Sequence, residues 1–330
     1  GPPQWRNPAA DYIWGDLTDV ATAAKAVAGV DAVSHQSAMV GLGVDFDDVA
    51  DYVHNNDRGT AVLLRALHRA RFRGRLALAS SMVVYGEGRY TCLEHGDVTV
   101  GPRRADDLDA GGYEPRCPYC RAPLVASAVP ETVPADPRNV YAATKLHQEH
   151  LCRSFAREHP GVSATALRYH NVYGPRMPRD TPYAGVASIF RSALERGEVP
   201  TVYEDGGQKR DFVHVCDVAH ANVRALTIEH AYDGPVNIAS GTPHTVLEMA
   251  DALADAFDAA ASRPRVVGGY RLGDVRHVFA SPVLALERLG FRAEIPFDDG
   301  MREFAHAPLR GRPDSDARER IVVGEASGTR

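Results

Sequence analysis

Apolar positions along the chain fall into two alternating rhythms. Unbroken apolar runs at Leu76-Ala77-Leu78-Ala79-Ser80-Ser81 and Ala164-Thr165-Ala166-Leu167-Arg168-Tyr169 read as buried strands, the first ending in two hydroxyls. Val236-Asn237-Ile238-Ala239-Ser240-Gly241 and Asp31-Ala32-Val33-Ser34-His35-Gln36-Ser37-Ala38 read as two more. Asp11-Tyr12-Ile13-Trp14-Gly15-Asp16-Leu17-Thr18-Asp19 reads as a short strand ending in an acidic turn. Helical spacing fills the stretches between: an Ala-rich helix over 20–28, and others over about 46–69, about 141–158 and, past the breakers Pro175, Pro178 and Pro182, about 186–196. Strands alternating with helices predict an α/β architecture, a doubly wound parallel sheet.

Composition narrows the function classes. With 330 residues, 44% of them hydrophobic, the chain can bury a large core in one or two domains. A net charge of -6 and the lack of any basic run argue against nucleic acid or an acidic membrane surface as partner. The apolar stretches are strand-sized, and no charged start leads into an apolar signal segment, so a cytoplasmic protein with no membrane span is expected. Five cysteines, an odd count, do not form a secreted disulfide framework.

Chemistry concentrates between Leu76 and Lys145. Tyr141 and Lys145 lie four apart, on one side of a helix. An ammonium beside a phenol favours the phenolate and would bring a group that ordinarily titrates near pH 10 closer to neutrality, as a general base requires. Ser81, at the end of its strand, would share the phenol's proton and hold a substrate oxygen. Between Ser81 and Tyr141 stand Cys92-Leu93-Glu94-His95 and Cys117-Pro118-Tyr119-Cys120. Two ligand pairs of this kind suit a tetrahedral structural zinc, with free thiols in a loop, or Cys117 and Cys120 as a redox pair, as the alternatives. The segment between them has little apolar content to fold it otherwise. Cys152 and Cys216 read as ordinary buried or helix-face cysteines.

Ser81-Met82-Val83-Val84-Tyr85-Gly86, the Tyr141/Lys145 pair, Asn55-Asn56-Asp57-Arg58-Gly59-Thr60 and Leu167-Arg168-Tyr169-His170-Asn171-Val172-Tyr173-Gly174-Pro175 together resemble the extended short-chain dehydrogenase/reductase family, in its nucleotide-sugar epimerase and dehydratase branch. The likeness runs from about Asp11 to about Leu309. It implies a Rossmann-type NAD-binding domain over 1–174, interrupted by the Cys-containing insertion at about 87–135, and a smaller α/β nucleotide-sugar domain over 175–310, with a strand near 235–240 returning to the first sheet; the polar, Gly-containing tail over 311–330 reads as disordered. It also implies a homodimer packed through helices near 46–70 and 141–158. By resemblance Ser81, Tyr141 and Lys145 are catalytic. Asp16, Leu17, Gln36, Ser37, Ala38, Asn56 and Tyr169 join Tyr141 and Lys145 at the cofactor, and Ser81, Met82, Asn171, Tyr203, Arg210 and Arg271 face the sugar nucleotide. Arg210 and Arg271 suit a diphosphate clamp, since guanidinium grips phosphate in bidentate fashion.

The chain departs from the family at its start. Gly1 to Trp5 reads as a loop, and the first strand with its Gly-rich phosphate-binding turn and the second strand have no counterpart; the glycines of Met39-Val40-Gly41-Leu42-Gly43 do not replace that turn. Either a preceding segment belongs to the protein or the dinucleotide is bound abnormally, and the later cofactor-facing positions favour the first. The choice of NAD over NADP is left open by the same gap. Met82 and Val83 occupy places where dehydratases carry acid and base, and neither transfers a proton. What the resemblance then implies is C4 epimerisation of a nucleotide sugar, nearest to the dTDP-L-rhamnose 4-epimerases, with UDP-glucose 4-epimerase, a 4-ketosugar reductase using NAD(P)H, and a catalytically silent nucleotide sensor as alternatives.

Overall fold

The computed structural model describes residues 6–41, 46–179, 185–257, 262–271 and 273–310. Leu42, Gly43, Pro182, Leu272, the opening Gly1 to Trp5 and the tail over 311–330 lie outside them. At its centre is a four-stranded parallel sheet, in the order Ala32–His35, Arg75–Ser81, Ser163–Tyr169, Gly234–Ile238. Alternate side chains of these strands enter separate cores, as a pleated strand requires. Leu76, Leu78, Ala164 and Ala166 pack with Leu63, Leu67, Cys152 and Phe155, from the helices Gly59–Arg69 and Val140–Glu158. Ala77, Leu167, Val236 and Ile238 pack on the opposite face with Val218, Ala221, Ala285 and Leu289, from Val215–Thr227 and Val283–Leu289. Burial on both faces explains why these strands read as unbroken apolar runs.

Local chemistry starts the helices, the first two below where the pattern predicts. The Asp19 side chain accepts from the Thr22 N–H ahead of Val20–Ala26, Asn139 accepts from Ala142 ahead of Val140–Glu158, and Thr245 with Glu248 forms a capping box on Val246–Ala256.

Two expectations fail. No strand forms over Asp11–Trp14, because a strand needs a neighbour for its N–H and C=O groups and no described segment pairs with it. The helix expected over 46–69 is not continuous: a tight turn Phe46–Asp48 leads into Val49–Tyr52, then a wide π turn Val53–Arg58, then Gly59–Arg69. The wide turn surrounds Asn56, whose carbonyl accepts from Thr60 Oγ1 at 2.7 Å and Gln148 Nε2 at 3.2 Å. Such insertions recur at functional sites.

Beyond Tyr169 the chain runs into a second sheet, with Asn171–Tyr173 parallel to Lys209–His214 and Pro243–Thr245 antiparallel to it. Its core joins Tyr173, Phe190, Leu194, Phe212, Met249, Leu253, Met301 and Phe304. The insertion between Ser81 and Tyr141 is more than a loop. Arg89–Cys92 pairs antiparallel with Gly96–Val98 and Val125–Ser127, over a small core of Tyr90, Cys92, Val100, Cys117 and Leu124. Two of the five residues in that small core, Cys92 and Cys117, belong to the candidate ligand set. Of the remaining cysteines, Cys152 is buried and Cys216 exposed.

Candidate active site

Parallel strands present their carboxyl ends along one edge, and in doubly wound sheets ligands bind there. Ser81 closes its strand and Tyr169 is its register partner on the next. The Ser81 hydroxyl accepts from the Val83 N–H at 3.4 Å, capping the tight turn Met82–Tyr85, and it lies near enough to the phenol of Tyr141 to favour its ionised form. Tyr141 sits in the first turn of Val140–Glu158, fixed there by the Asn139 cap, with its ring 6.1 Å from that of Tyr52. One turn on, Lys145 is buried; its ammonium donates to the Ala79 carbonyl at 2.8 Å and lies 5.9 Å from the centre of the Tyr141 ring. The three residues predicted to be catalytic therefore converge.

The electrostatics differ from the sequence expectation. Burial pushes Tyr141 up to about 12, with Ser81 opposing and Tyr52 adding to the rise. Burial likewise pulls Lys145 down to about 8, against the fields of Cys152 and Glu149. By itself the site holds Tyr141 as the phenol, because removal from water outweighs an ammonium aimed at the Ala79 carbonyl.

Behind the trio lies polar machinery the sequence did not disclose. Asn56, fully buried, donates to Met39 O at 3.0 Å and Thr144 Oγ1 at 2.9 Å and accepts from Met39 N at 2.6 Å, joining the loop after Ala32–His35 to the tyrosine helix. Thr60 Oγ1 receives Gln148 Nε2 at 2.7 Å and meets His35 Nε2 at 2.9 Å. Glu149 takes a bidentate grip from Arg168 at 2.9 and 2.8 Å and a short hydrogen bond from Ser80, while Arg168 stacks 4.7 Å from the Tyr85 ring centre. Only Asn56 was singled out beforehand. Polar residues at helical spacing look solvated until the neighbouring helix is known.

The remaining predicted residues occupy three places. Gln36 follows Ala32–His35, and its amide donates to Ser34 Oγ, Asn222 Oδ1 and the Tyr169 hydroxyl at 2.9, 2.9 and 3.2 Å. Ser37 is exposed beside it and Ala38 is half-buried. Asp16 is exposed, its carboxylate held below the usual range by hydrogen bonds from the Thr18 N–H and hydroxyl, and Leu17 packs partly on the first core. Met82 packs against Val84, Tyr85 and Val129. Asn171 leaves a buried Oδ1 with no hydrogen-bond partner. On the second sheet Arg210 donates to the carbonyls of Lys209 and Arg276 at 2.8 Å and of Val275 at 2.7 Å. Arg271, exposed, stacks 5.1 Å from the Tyr203 ring centre. Arg276, to which the sequence does not point, is buried and paired with Glu114, Glu204 and Asp205 at 2.6 to 2.9 Å.

The NAD dependent epimerase/dehydratase family matches residues 1–239. A dTDP-L-rhamnose 4-epimerase of Burkholderia thailandensis is 32% identical over 274 residues, 82% of this chain and 73% of that protein. A putative UDP-glucose 4-epimerase of Methanocaldococcus jannaschii is 27% identical, over 90% of this chain and 83% of that one. Among solved structures, the UDP-glucose 4-epimerase of Thermus thermophilus in complex with NAD is similar at a TM-score of 0.69 and 27% identity, covering 92% of this chain and 86% of that one. Since the family match alone spans more than half of the sequence, the chain belongs to the NAD-dependent epimerase/dehydratase family.

Proposed function

We propose that the protein is an NAD-dependent nucleotide-sugar 4-epimerase acting on dTDP-L-rhamnose. The observation that carries the reading is the convergence of Ser81, Tyr141 and Lys145 with no proton-transferring side chain at Met82 or Val83. A phenol, a hydroxyl and an ammonium suffice to move one proton on and off a carbinol oxygen, whereas dehydration calls for further acid and base groups.

The residues present fit a nicotinamide dinucleotide. Lys145 is buried with three N–H donors, yet donates to one protein acceptor among the described residues, which leaves two for ribose hydroxyls. Gln36, Ser37 and Tyr169 line the same strand ends. Bound there, oxidised NAD would supply a reversible acceptor for the C4 hydride and a positive charge that favours the phenolate. Tyr141, in the phenolate form that a bound positive charge favours, takes the proton of the sugar 4-hydroxyl through Ser81 and later gives it back. Lys145 keeps the phenolate form favourable during that interval. The unpartnered Asn171 Oδ1 accepts a sugar hydroxyl, and Arg210 and Arg271 retain the diphosphate while the 4-keto sugar turns over.

The choice of dTDP-L-rhamnose is supported by the Burkholderia relative and that of UDP-glucose by the Methanocaldococcus one. In this reading two copies pair across Val49–Tyr52, Gly59–Arg69 and Val140–Glu158, with exposed Phe46 and Val53 in the turns on either side of the first of these; sedimentation of the full-length protein reads that state. No helix among the described residues is long and apolar enough to cross a membrane, in keeping with work in the cytoplasm.

The full-length protein, incubated with dTDP-L-rhamnose or UDP-glucose without added nicotinamide, is followed by NMR at sugar C4. Conversion of dTDP-L-rhamnose, reduced by about 100-fold or more in Tyr141→Phe with nucleotide binding unchanged, is expected. Conversion of UDP-glucose alone transfers the reading to that sugar. A 4-keto sugar consumed with added NAD(P)H points to a reductase, and silence in every assay to a sensor.

A further inference from the structure

The insertion brings four metal-binding side chains to one point. Cys92 Sγ lies 3.5 Å from His95 Nδ1 and 3.6 Å from Cys120 Sγ, Cys117 Sγ lies 3.7 Å from His95 Nδ1, and all four ligand atoms fall within 4.8 Å of one another. Sulfur at about 2.3 Å and nitrogen at about 2.0 Å from a tetrahedral zinc stand roughly 3.5 to 3.8 Å apart. Three of the pairs have that spacing, and Cys92 and Cys120 are too far apart for a disulfide, whose sulfurs lie about 2.05 Å apart. The two ligand turns also continue alike, since the residue after each second ligand, Gly96 at φ +67° and Arg121 at φ +62°, is left-handed. For a bulky residue such as Arg121 that backbone is costly. The turn is closed by Arg121 N to Cys117 O at 2.9 Å and Cys117 N to Ala122 O at 2.8 Å.

This lobe grips one segment of the second sheet's surroundings. Glu114, just ahead of Cys117, accepts from Arg276 at 2.6 and 2.8 Å and meets His277 Nε2 at 2.8 Å. Tyr113 donates to Gly268 O at 2.8 Å, Tyr270 to Asp109 at 2.7 Å, and Arg103 to Asp274 O at 2.7 Å. The gripped segment carries Arg271, and its Val275 and Arg276 carbonyls hold the Arg210 guanidinium.

We propose that Cys92, His95, Cys117 and Cys120 bind one zinc ion, and that the metal, by ordering the lobe that carries Glu114, positions Arg210 and Arg271 for a nucleoside diphosphate. All four ligands come from protein, so the ion has no open position for catalysis. The first half stands on the ligand geometry alone; the second rests on the reading of Arg210 and Arg271 as a diphosphate clamp.

Metal analysis of full-length protein purified without chelator, and of the same protein reconstituted with zinc sulfate, should give one zinc per chain, lost in Cys117→Ser/Cys120→Ser. Calorimetry with dTDP and UDP reads the second half. The double variant should bind the nucleotide about tenfold more weakly. Glu114→Gln should retain its zinc, bind about tenfold more weakly and show KM raised with kcat unchanged. Absence of zinc before and after reconstitution overturns the metal site. Unchanged nucleotide affinity in Glu114→Gln overturns the positioning role, while a wild-type protein that holds zinc and binds neither nucleotide overturns the clamp and the positioning together.

Discussion

Tyr141 and Lys145 lean toward their neutral forms for the same reason: each is removed from water before any ligand arrives. His35 completes the picture beneath them. Burial, with Lys145 adding to it, holds its imidazole down at about 4 from an ordinary 6.5. Between those values the unfolded chain binds more protons than the folded one, so stability is full above about pH 6.5 and falls as pH drops toward 4, by on the order of 3 kcal/mol. The unfolding midpoint in urea should follow that slope, and His35→Gln should flatten it; an unchanged slope contradicts the burial argument. The convergence of Ser81, Tyr141 and Lys145 was legible because the motifs flanking them set a spacing that is common by itself into a family pattern. Thr60, Gln148 and Glu149 were not, since their partners come from elements far away in sequence.

At the scale of elements, the strand Ser163–Tyr169 and the helix Val140–Glu158 are locked by Arg168 and Glu149, both almost fully buried. A buried pair contributes little net stability, but breaking one side strands the other charge. Glu149→Gln should therefore cost about 3 to 5 kcal/mol by urea denaturation, and Glu149→Leu combined with Arg168→Leu less than the sum of the single changes. Additive losses would mean the two groups do not act as a pair. Strand existence was legible wherever both faces are covered, as at Leu76 and Ala77. It failed at Asp11–Trp14, where the apolar run is present but a pairing partner is not among the described residues. It was underestimated in the insertion, whose strands at Arg89–Cys92 and Gly96–Val98 are too short to announce themselves.

Across the whole molecule, the chain passes from the sheet edge at Tyr169 directly into Asn171–Tyr173 of the second sheet, so the groups proposed to move a proton and those proposed to hold the diphosphate belong to one continuous framework. The insertion braces that framework through Glu114 and Arg276. Neither the brace nor Arg276 itself could be read from the sequence, because the pairing joins residues far apart in the chain. The central claim is that C4 loses a hydride and receives the same hydride back while Tyr141 handles only the hydroxyl proton. dTDP-L-rhamnose deuterated at C4, incubated with the full-length protein in ordinary water, tests it most directly. The expected product is a C4 epimer that keeps its deuterium. A product that has exchanged deuterium for solvent hydrogen at C4 would contradict it.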